Sequence, residues 1–285
     1  DTDPALGNTI IQKNLLRIRG EFLYKMVESK QPVSVRNLRR PKGHISSVAT
    51  NMVHLKNPWV TAWWSAAFPG FGHIILGSYV KGFLLVVWEL LINVKAKLNL
   101  CILYSFGGQF DLARQVVDTR WLLLYAPVYI FAIWDAYRRT VDLNKMSILA
   151  DREDSTVLPS TINTIEINIL DKKHPWLAMV WSAIIPGVGH LYTHRVPTSF
   201  FVLIWWISVS YFSNILPAIH LSFTGQFAMA KSVVDMQWLL FLPSMYTFAI
   251  YDSYVNCVEY NKLTENEQAR FLKDNYQSPD ALMPV

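Results

Sequence analysis

The sequence predicts an all-α fold: a polytopic integral membrane protein built from two tandem homologous helical repeats with Pro-Gly-broken first segments. Three observations predict it, namely the composition, the long uncharged runs and an internal duplication. Of the 285 residues, 52% are hydrophobic and only 16% are charged, whereas an ordinary soluble domain has about 25% charged residues. This composition argues against a nucleic-acid-binding domain, a disordered tail and a typical cytosolic enzyme.

Four apolar stretches carry almost no charge. They are residues 57–80, 121–137, 196–230 and 236–258. The first and third contain no Asp, Glu, Lys or Arg, and the other two contain one aspartate each, Asp135 and Asp252. A bilayer-spanning helix needs about 20 mostly apolar residues, because its backbone polar groups must be satisfied inside the hydrocarbon. We therefore expect a multi-pass protein of the cell membrane.

The chain contains an internal duplication. Residues 56–145 align without a gap with residues 173–262, and about a third of the positions are identical. Chance does not supply such a match across polar anchors at fixed spacing. The matched anchors include Pro69-Gly70-Phe71-Gly72-His73 with Pro186-Gly187-Val188-Gly189-His190, and Gly108-Gln109-Phe110 with Gly225-Gln226-Phe227. Because proline removes a helix donor and glycine permits a sharp turn, we expect Pro-Gly to break the first segment of each repeat.

The duplication divides the chain into five parts. They are a basic cytoplasmic arm with an amphipathic helix (1–55), membrane repeat 1 (56–145), a linker (146–172), membrane repeat 2 (173–262) and a C-terminal tail (263–285). Apolar residues recur at helical spacing among basic ones in 10–30, which predicts a helix that lies on anionic lipid or docks on the body of the protein. We expect 31–55 to be a linker and 164–169 to form a short strand.

The placement of basic residues favours one topology. Residues 1–56 contain ten Lys/Arg and four Asp/Glu, and basic segments stay in the cytoplasm. Placing the arm, the linker and the tail together there predicts four full crossings plus two Pro-Gly-broken segments that do not cross. Six crossings with inverted repeats is the alternative.

The Pro-Gly-x-Gly-His runs, with Trp134-Asp135 and Tyr251-Asp252 downstream, resemble the two-helix transmembrane domain family. In that family a Pro/Gly-Gly-x-Gly-His-x-Tyr-x-Gly signature precedes a second helix with an aromatic–aspartate pair. Repeat 2 has Tyr192 at the family's aromatic position, where repeat 1 has Ile75, and it has Thr193-His194 in place of the Leu-Gly step. The resemblance implies a membrane module in two tandem copies and implies no reaction.

Polar groups inside membrane segments are costly and are candidate functional residues. Seven form the candidate intramembrane site: His73, His190, Asp135, Asp252, Gln109, Gln226 and Glu89. The first six are duplicated, whereas Glu89 aligns with Trp206 and is predicted to pair with a nearby lysine or to face a wet cavity. In a structural interpretation each histidine bonds an aspartate or a free carbonyl at the break. In a functional one, the His/Asp sets line a cavity between the repeats.

The sequence assigns no reaction. It contains no nucleophile elbow, phosphate loop, zinc-type Cys/His set or His-Glu-x-x-His motif, so no catalytic residue, cofactor or metal is predicted and an enzyme is the least favoured class. We expect a membrane protein that acts by association, as a scaffold, accessory subunit or sensor partner. Its predicted partners are the lipid bilayer, anionic lipid at the arm, and a protein partner or a second copy; no nucleic acid is expected. The alternative is a transporter or channel for a small solute, ion or lipid, with a site between the repeats.

Overall fold

A computed structural model describes residues 40–164 and 166–277. The predicted amphipathic helix of the arm and its predicted contact with anionic lipid lie outside the described residues. The described part of the chain is mostly helical, which confirms the all-α class, and its few strands are short.

Each repeat consists of a β-hairpin followed by helices. Repeat 1 comprises β1 (Gly43–Ile45), β2 (Thr50–Met52), α1 (Pro58–Ala67), α2 (Phe71–Ile75), α3 (Tyr79–Ala96), α4 (Leu98–Phe106), α5 (Phe110–Val116) and α6 (Thr119–Arg152). Repeat 2 comprises β3 (Ser160–Ile162), β4 (Ile167–Ile169), α7 (Pro175–Ile184), α8 (Val188–Tyr192), α9 (Val196–Phe212), α10 (Ile215–Phe223), α11 (Phe227–Val233), α12 (Met236–Leu239) and α13 (Phe241–Tyr276).

Several helices are shorter or more bent than the sequence predicts. Within the described residues, no single helix has both the length and the apolar character to cross a bilayer by itself. Three pairs of consecutive helices have sufficient length and apolar character when each pair is taken together, but each pair is bent. They are α5 with α6 at 92°, α9 with α10 at 61°, and α11 with α12–α13 at 83°. The second apolar segment bends at Lys97 in repeat 1 and at Asn214 in repeat 2, and both residues have a φ of 55°.

The repeat begins upstream of its predicted start at residue 56. In β1–β2, Gly43 pairs with Met52, and in β3–β4, at the same spacing along the chain, Ser160 pairs with Ile169. The expected linker 31–55 therefore contains a hairpin, while the strand expected in 164–169 is β4. The reason for the difference is that short antiparallel strands are held by backbone hydrogen bonds, which require little identity between the two copies.

Both predicted Pro-Gly breaks separate a ten-residue helix from a five-residue helix. Gly70 and Gly187 have φ of +103° and +104°, a left-handed conformation that residues with a Cβ rarely adopt. The space is closed as well, because a Cβ on Gly70 would lie 2.5 Å from the Gly82 carbonyl oxygen. The turn therefore requires glycine on conformational and steric grounds.

The α1–α2 segment folds back on itself beside α6. The Asn144 side chain of α6 contacts the start of α1. At the other end of α1, the Tyr129 hydroxyl donates to the Ala66 carbonyl over 2.8 Å. After the Pro-Gly turn, α2 brings His73 back to Asp135. Since residue 135 lies between 129 and 144, the segment runs along α6, reverses, and returns about halfway.

The two repeats share one hydrophobic core. Its buried side chains come from 64–86 of repeat 1 and from α9 and α13 of repeat 2: Trp64, Phe68, Phe71, Ile74, Ile75, Val86, Trp205, Val209, Phe241, Met245 and Phe248. The rings of Phe71 and Phe248 stack with their centres 3.9 Å apart, and those of Phe83 and Phe201 stack with centres 4.1 Å apart. Because these contacts join one repeat to the other, the repeats pack as one unit.

Candidate functional site

In repeat 1, side chains from three helices meet at one carboxylate oxygen. His73 Nε2 of α2 donates to Asp135 Oδ2 of α6 over 2.8 Å, and Lys81 Nζ of α3 donates to the same oxygen over 2.7 Å. The His73 side chain is fully buried, whereas 17% of the Asp135 side chain and 42% of the Lys81 side chain are exposed. These three residues, the repeat 1 site, form an ion pair that is buried on one side and open on the other.

In repeat 2, the same arrangement is closed. His190 Nε2 of α8 donates to Asp252 Oδ2 of α13 over 3.0 Å, and Arg195 Nη1 donates to the same oxygen. Asn256 Nδ2, one turn further along α13, donates to Asp252 Oδ1 over 2.6 Å. The side chains of His190 and Asp252 are fully buried and that of Arg195 is 5% exposed. His190, Asp252 and Arg195 are the repeat 2 site.

Repeat 1 contributes to closing the repeat 2 site. Arg195 Nε donates to the Tyr79 hydroxyl and Arg195 Nη2 donates to the Ile74 carbonyl, each over 3.4 Å. The guanidinium carbon also lies 5.6 Å from the centre of the Tyr79 ring. A charge removed from water is tolerated only when it is paired and hydrogen-bonded, and here some of the partners come from the other repeat. The closed site therefore depends on the packing of the repeats.

The glycine that precedes each histidine allows the close approach of the helices. A Cβ on Gly72 would lie 2.3 Å from the Thr61 carbonyl oxygen, and one on Gly189 would lie 2.1 Å from the Ala178 carbonyl oxygen. Any larger residue would push α2 away from α1, or α8 away from α7. The second glycine of the Pro-Gly-x-Gly-His motif therefore holds the histidine at its aspartate.

A groove of about 310 Å³ opens beside the repeat 1 site. It is lined by Trp134, Asp135, Arg138, Arg139, Asp142, Leu143 and Met146. The position equivalent to Trp134 in repeat 2 is Tyr251, which packs against Trp64 of repeat 1 with ring centres 4.9 Å apart. Repeat 1 thus covers the surface around Tyr251 on repeat 2. The equivalent surface around Trp134 on repeat 1 stays open as the groove.

The arrangement suits anchoring better than metal chemistry. Across 40–164 and 166–277, no three His, Cys, Asp or Glu side chains are grouped so that they could hold a metal ion. Each carboxylate instead has a histidine and one cation as partners. Each site neutralises an aspartate of the long helix and ties the short helix after the Pro-Gly turn to it.

The structure does not bring all predicted site residues together. It joins His73 to Asp135 and His190 to Asp252, whereas Gln109 and Gln226 are exposed residues directly before α5 and α11. Asp118 and Asp235 cap α6 and α12, where they accept from the backbone nitrogens of Arg120 over 2.9 Å and of Gln237 over 2.8 Å.

Glu89 belongs to a separate polar network. Its Oε1 accepts from Asn93 Nδ2 over 2.9 Å, whereas Lys95 and Lys97, the predicted partners, are exposed. Asn93 Oδ1 accepts from Gln237 Nε2 of repeat 2 over 2.8 Å, and Asn99 Nδ2 donates to the Gln237 carbonyl over 2.8 Å. The network therefore links the repeats at the end of α3 away from the His–Asp sites.

Comparison of the chain with protein-family models, with curated proteins and with solved structures finds no match. The resemblance to the two-helix transmembrane domain family therefore stays a prediction that rests on the motif residues. Because a fold alone does not determine a function, the function has to be argued from the geometry of the site and of the interface.

Sequence reasoning missed a duplicated clamp ahead of α1 and α7. Asn144 accepts from the Lys56 backbone nitrogen over 2.9 Å and donates to its carbonyl over 2.7 Å. Asn261 makes the same two bonds to Lys173, at 2.9 and 2.7 Å. Burial lowers the pKa of both lysines, that of Lys56 to about 8. The signal was present, since both pairs are identical residues in the alignment.

Arg195 and Lys81 were missed for another reason. Arg195 aligns with Ser78, and Lys81 aligns with Thr198. The cation of each site thus has no identical counterpart in the other repeat, so a search for duplicated polar residues passes over it. The available signal was a charged residue at the edge of an apolar run.

Proposed function

We propose that this protein is an integral membrane protein of two tandem repeats that acts by association with other protein. The main support for the proposal is the close packing of aromatic side chains between the repeats. The space there is filled by stacked aromatic rings such as Phe71 with Phe248, at 3.9 Å, and Phe83 with Phe201, at 4.1 Å. Rings stacked this closely leave no room for a solute between them, and a tight core of this kind suits a rigid scaffold.

Apolar exposure supports the membrane location. Large apolar side chains are exposed at equivalent positions in both repeats: Trp59 at 71% and Trp176 at 67%, Val87 at 43% and Ile204 at 63%, and Phe106 at 89% and Phe223 at 88%. Large exposed apolar surfaces mark contacts with a membrane or another protein. Because these side chains are exposed in both copies, their exposure supports a location in lipid.

The path of the helices supports four crossings. α3 starts near Arg139, which contacts Ser78, and ends where the Asp118 nitrogen donates to the Ala96 carbonyl over 3.2 Å. It therefore lies along residues 119–139 of α6, and α9 and α13 repeat the arrangement. An 18-residue helix is about 27 Å long, near the ~30 Å of the hydrocarbon core. The α1–α2 and α7–α8 segments enter and return without crossing.

The charges of α3 fit this placement. Lys81 and Lys95 lie near its two ends, where long side chains extend their ammonium groups toward the interface. Glu89, in the middle of the helix, is buried and bonded to Asn93 rather than exposed to lipid. These three charges lower the mean hydropathy of α3, and none of them is exposed to lipid in the middle of the helix.

Two measurements test the proposal. The full chain, expressed in cells, should stay in the membrane pellet after alkaline carbonate extraction, and release into the supernatant would contradict the membrane location. Reconstituted in vesicles, it should leave proton and cation flux within about twofold of empty vesicles. A flux at least tenfold higher that His73→Ala with His190→Ala abolishes would instead establish the carrier alternative.

A third measurement tests association. The chain should purify in a stable assembly larger than one copy. Deletion of residues 1–39, which lie ahead of the first hairpin, gives the matched comparison, because it tests whether the basic arm makes the contact. Loss of the assembly on deletion assigns the contact to the arm, and its persistence assigns the contact to the repeats. A chain that is single in the bilayer would overturn the proposal.

A further inference from the structure

The interface between the repeats is formed by two different surfaces. Repeat 1 contributes an α1–α2 face, formed by Trp64, Phe68, Phe71 and Ile74, and repeat 2 contributes an α9–α13 face, formed by Trp205, Phe241, Met245 and Phe248. Ring centres of Trp64 and Phe248 lie 5.6 Å apart. When like units meet through unlike surfaces, the contact is heterologous and one copy of each surface stays unused.

The unused copy of the first surface lies on repeat 2. The α7–α8 face consists of the equivalent residues Trp181, Ile185, Val188 and Leu191. Trp181 is 43% exposed where Trp64 is 5% exposed, and Leu191 is 48% exposed where Ile74 is 1% exposed. Side chains that form the core in one copy are therefore open in the other.

The unused copy of the second surface lies on repeat 1. The α3–α6 face consists of the equivalent residues Trp88, Leu124, Val128 and Phe131. Phe131 is 46% exposed where Phe248 is fully buried, and Leu124 is 53% exposed where Phe241 is 2% exposed. Both open faces remain apolar, as their buried counterparts are.

This asymmetry separates the open faces from surfaces that meet lipid. Positions that meet lipid are exposed in both repeats, as at Trp63 with 61% and Val180 with 46%. Positions of the open faces are buried in one repeat and partly or largely exposed in the other. Apolar exposure alone does not drive association in a bilayer, because lipid is equally apolar; close packing does. The internal interface shows that these two surfaces pack closely when they meet.

The polar edge of the interface has counterparts at the open faces. Lys56 of repeat 1 interacts electrostatically with Glu259 of repeat 2, and His54 Nε2 lies 3.8 Å from Glu259 Oε2. The position equivalent to Lys56 is Lys173, beside the α7–α8 face, and the one equivalent to Glu259 is Asp142, which lines the groove beside the α3–α6 face. The Lys56–Glu259 pair therefore has a counterpart, with Lys173 beside one open face and Asp142 beside the other, whereas the position equivalent to His54 is Asp171.

We propose that the occupant of each open face is a second copy of this chain, with the α7–α8 face of one copy packed on the α3–α6 face of the next. The contact repeats between chains the interface that joins the repeats within one chain. A heterologous contact continues until a ring closes, and in the smallest ring two chains bury both pairs of faces. The inference rests on the proposed function, since it names the partner of the proposed scaffold.

Crosslinking between two variants tests the contact. Phe83 and Phe201 stack inside the chain, and their equivalents at the open faces, Phe200 and Leu84, are 59% and 67% exposed. Because both side chains are exposed, Phe200→Cys and Leu84→Cys leave the fold intact. The two variants carry different tags, lack Cys101 and Cys257, and are expressed together. A short bismaleimide reagent added to their membranes should link the two variants to each other.

Matched positions supply the controls. Phe223→Cys with Phe106→Cys places thiols on other helices, α10 and α4, at positions that are exposed in both repeats, at 88% and 89%. The Phe200–Leu84 product should exceed the Phe223–Phe106 product at least fivefold. Phe83→Cys with Phe201→Cys in one chain is the internal positive control. Equal yields for the two intermolecular pairs, or products formed mainly by either variant with itself, would overturn the inference.

The result is separable from failure of the proposed function. Carbonate extraction and vesicle flux report on membrane location and transport and do not depend on the open faces. If both give the expected results while the crosslink stays at control level, only the identity of the partner is wrong. If the chain leaves the membrane or carries a solute, the proposed function fails whatever the crosslink shows.

Discussion

The two histidine–aspartate sites share one local design and differ in their surroundings. In both, a Pro-Gly turn presents a buried histidine to an aspartate of the long helix, over 2.8 Å in repeat 1 and 3.0 Å in repeat 2. The aspartate of repeat 1 remains 17% exposed, while that of repeat 2 is fully buried. The difference arises because repeat 1 packs over repeat 2 and nothing within the described residues packs in the same way over repeat 1.

The choice of cation follows the surroundings. Lys81 reaches Asp135 from the outer side of α3 and keeps its ammonium group partly exposed, as a strongly hydrated point charge requires. Arg195 is buried and divides its donors among Asp252, Tyr79 and Ile74. A planar guanidinium with five donors suits a buried position with several acceptors. The position of the cation thus differs with the environment, while the histidine and aspartate stay at the same positions in both repeats.

The largest expected effect comes from removing the buried cation. Arg195→Met leaves the Asp252 carboxylate buried without its charged partner, and breaking such a pair costs about 3–5 kcal/mol. Lys81→Met removes an exposed partner and should cost less than about 1 kcal/mol. Denaturation of the detergent-solubilised protein gives both free energies of unfolding. Equal losses in the two variants would show that the two sites do not differ as described.

A smaller effect, equal in both repeats, is expected at the second glycine of the motif. Gly72→Ala and Gly189→Ala place a Cβ at 2.3 and 2.1 Å from a backbone carbonyl oxygen, and such overpacking costs about 1–3 kcal/mol. Gly107→Ala is the control, because its Cβ would lie 3.5 Å from its nearest neighbour. Melting temperatures should fall together for the first two and stay unchanged for the third. A large difference between Gly72→Ala and Gly189→Ala would mean that the two turns are not equivalent.

The duplication pointed to the site residues that both repeats share and missed the residues that only one repeat uses. His73, Asp135 and their counterparts stand at identical positions, so the alignment pointed to them. It pointed equally to Gln109 and Gln226, because residues that precede a helix are repeated as faithfully as residues of a site. The cations were hidden, since Arg195 aligns with a serine.

Other features left little local signal. Lys97 adopts a left-handed backbone conformation for which lysine has no particular preference, whereas asparagine, which stands at the equivalent position 214, visits it more readily. The sequence predicted the strand β4 and missed β1, β2 and β3, because strands of three residues are too short for an alternating pattern to be recognised. Which face of each repeat is buried follows from how the repeats pack, and no periodicity within one repeat encodes that.

The smallest expected effect is a loss of stability at acid pH, and it arises from a residue of repeat 1 alone. Burial lowers the pKa of His54 from 6.5 to about 3, and the position equivalent to it in repeat 2 is Asp171. Between these pKa values the unfolded chain binds a proton that the folded chain does not, so stability falls as the pH falls below about 6.5. We expect His54→Asn to reduce the loss of unfolding free energy between pH 7 and pH 5 by about 1–2 kcal/mol. The exposed His44→Asn is the control, and an unchanged pH profile in His54→Asn would show that the folded protein accommodates a charged imidazole beside Glu259.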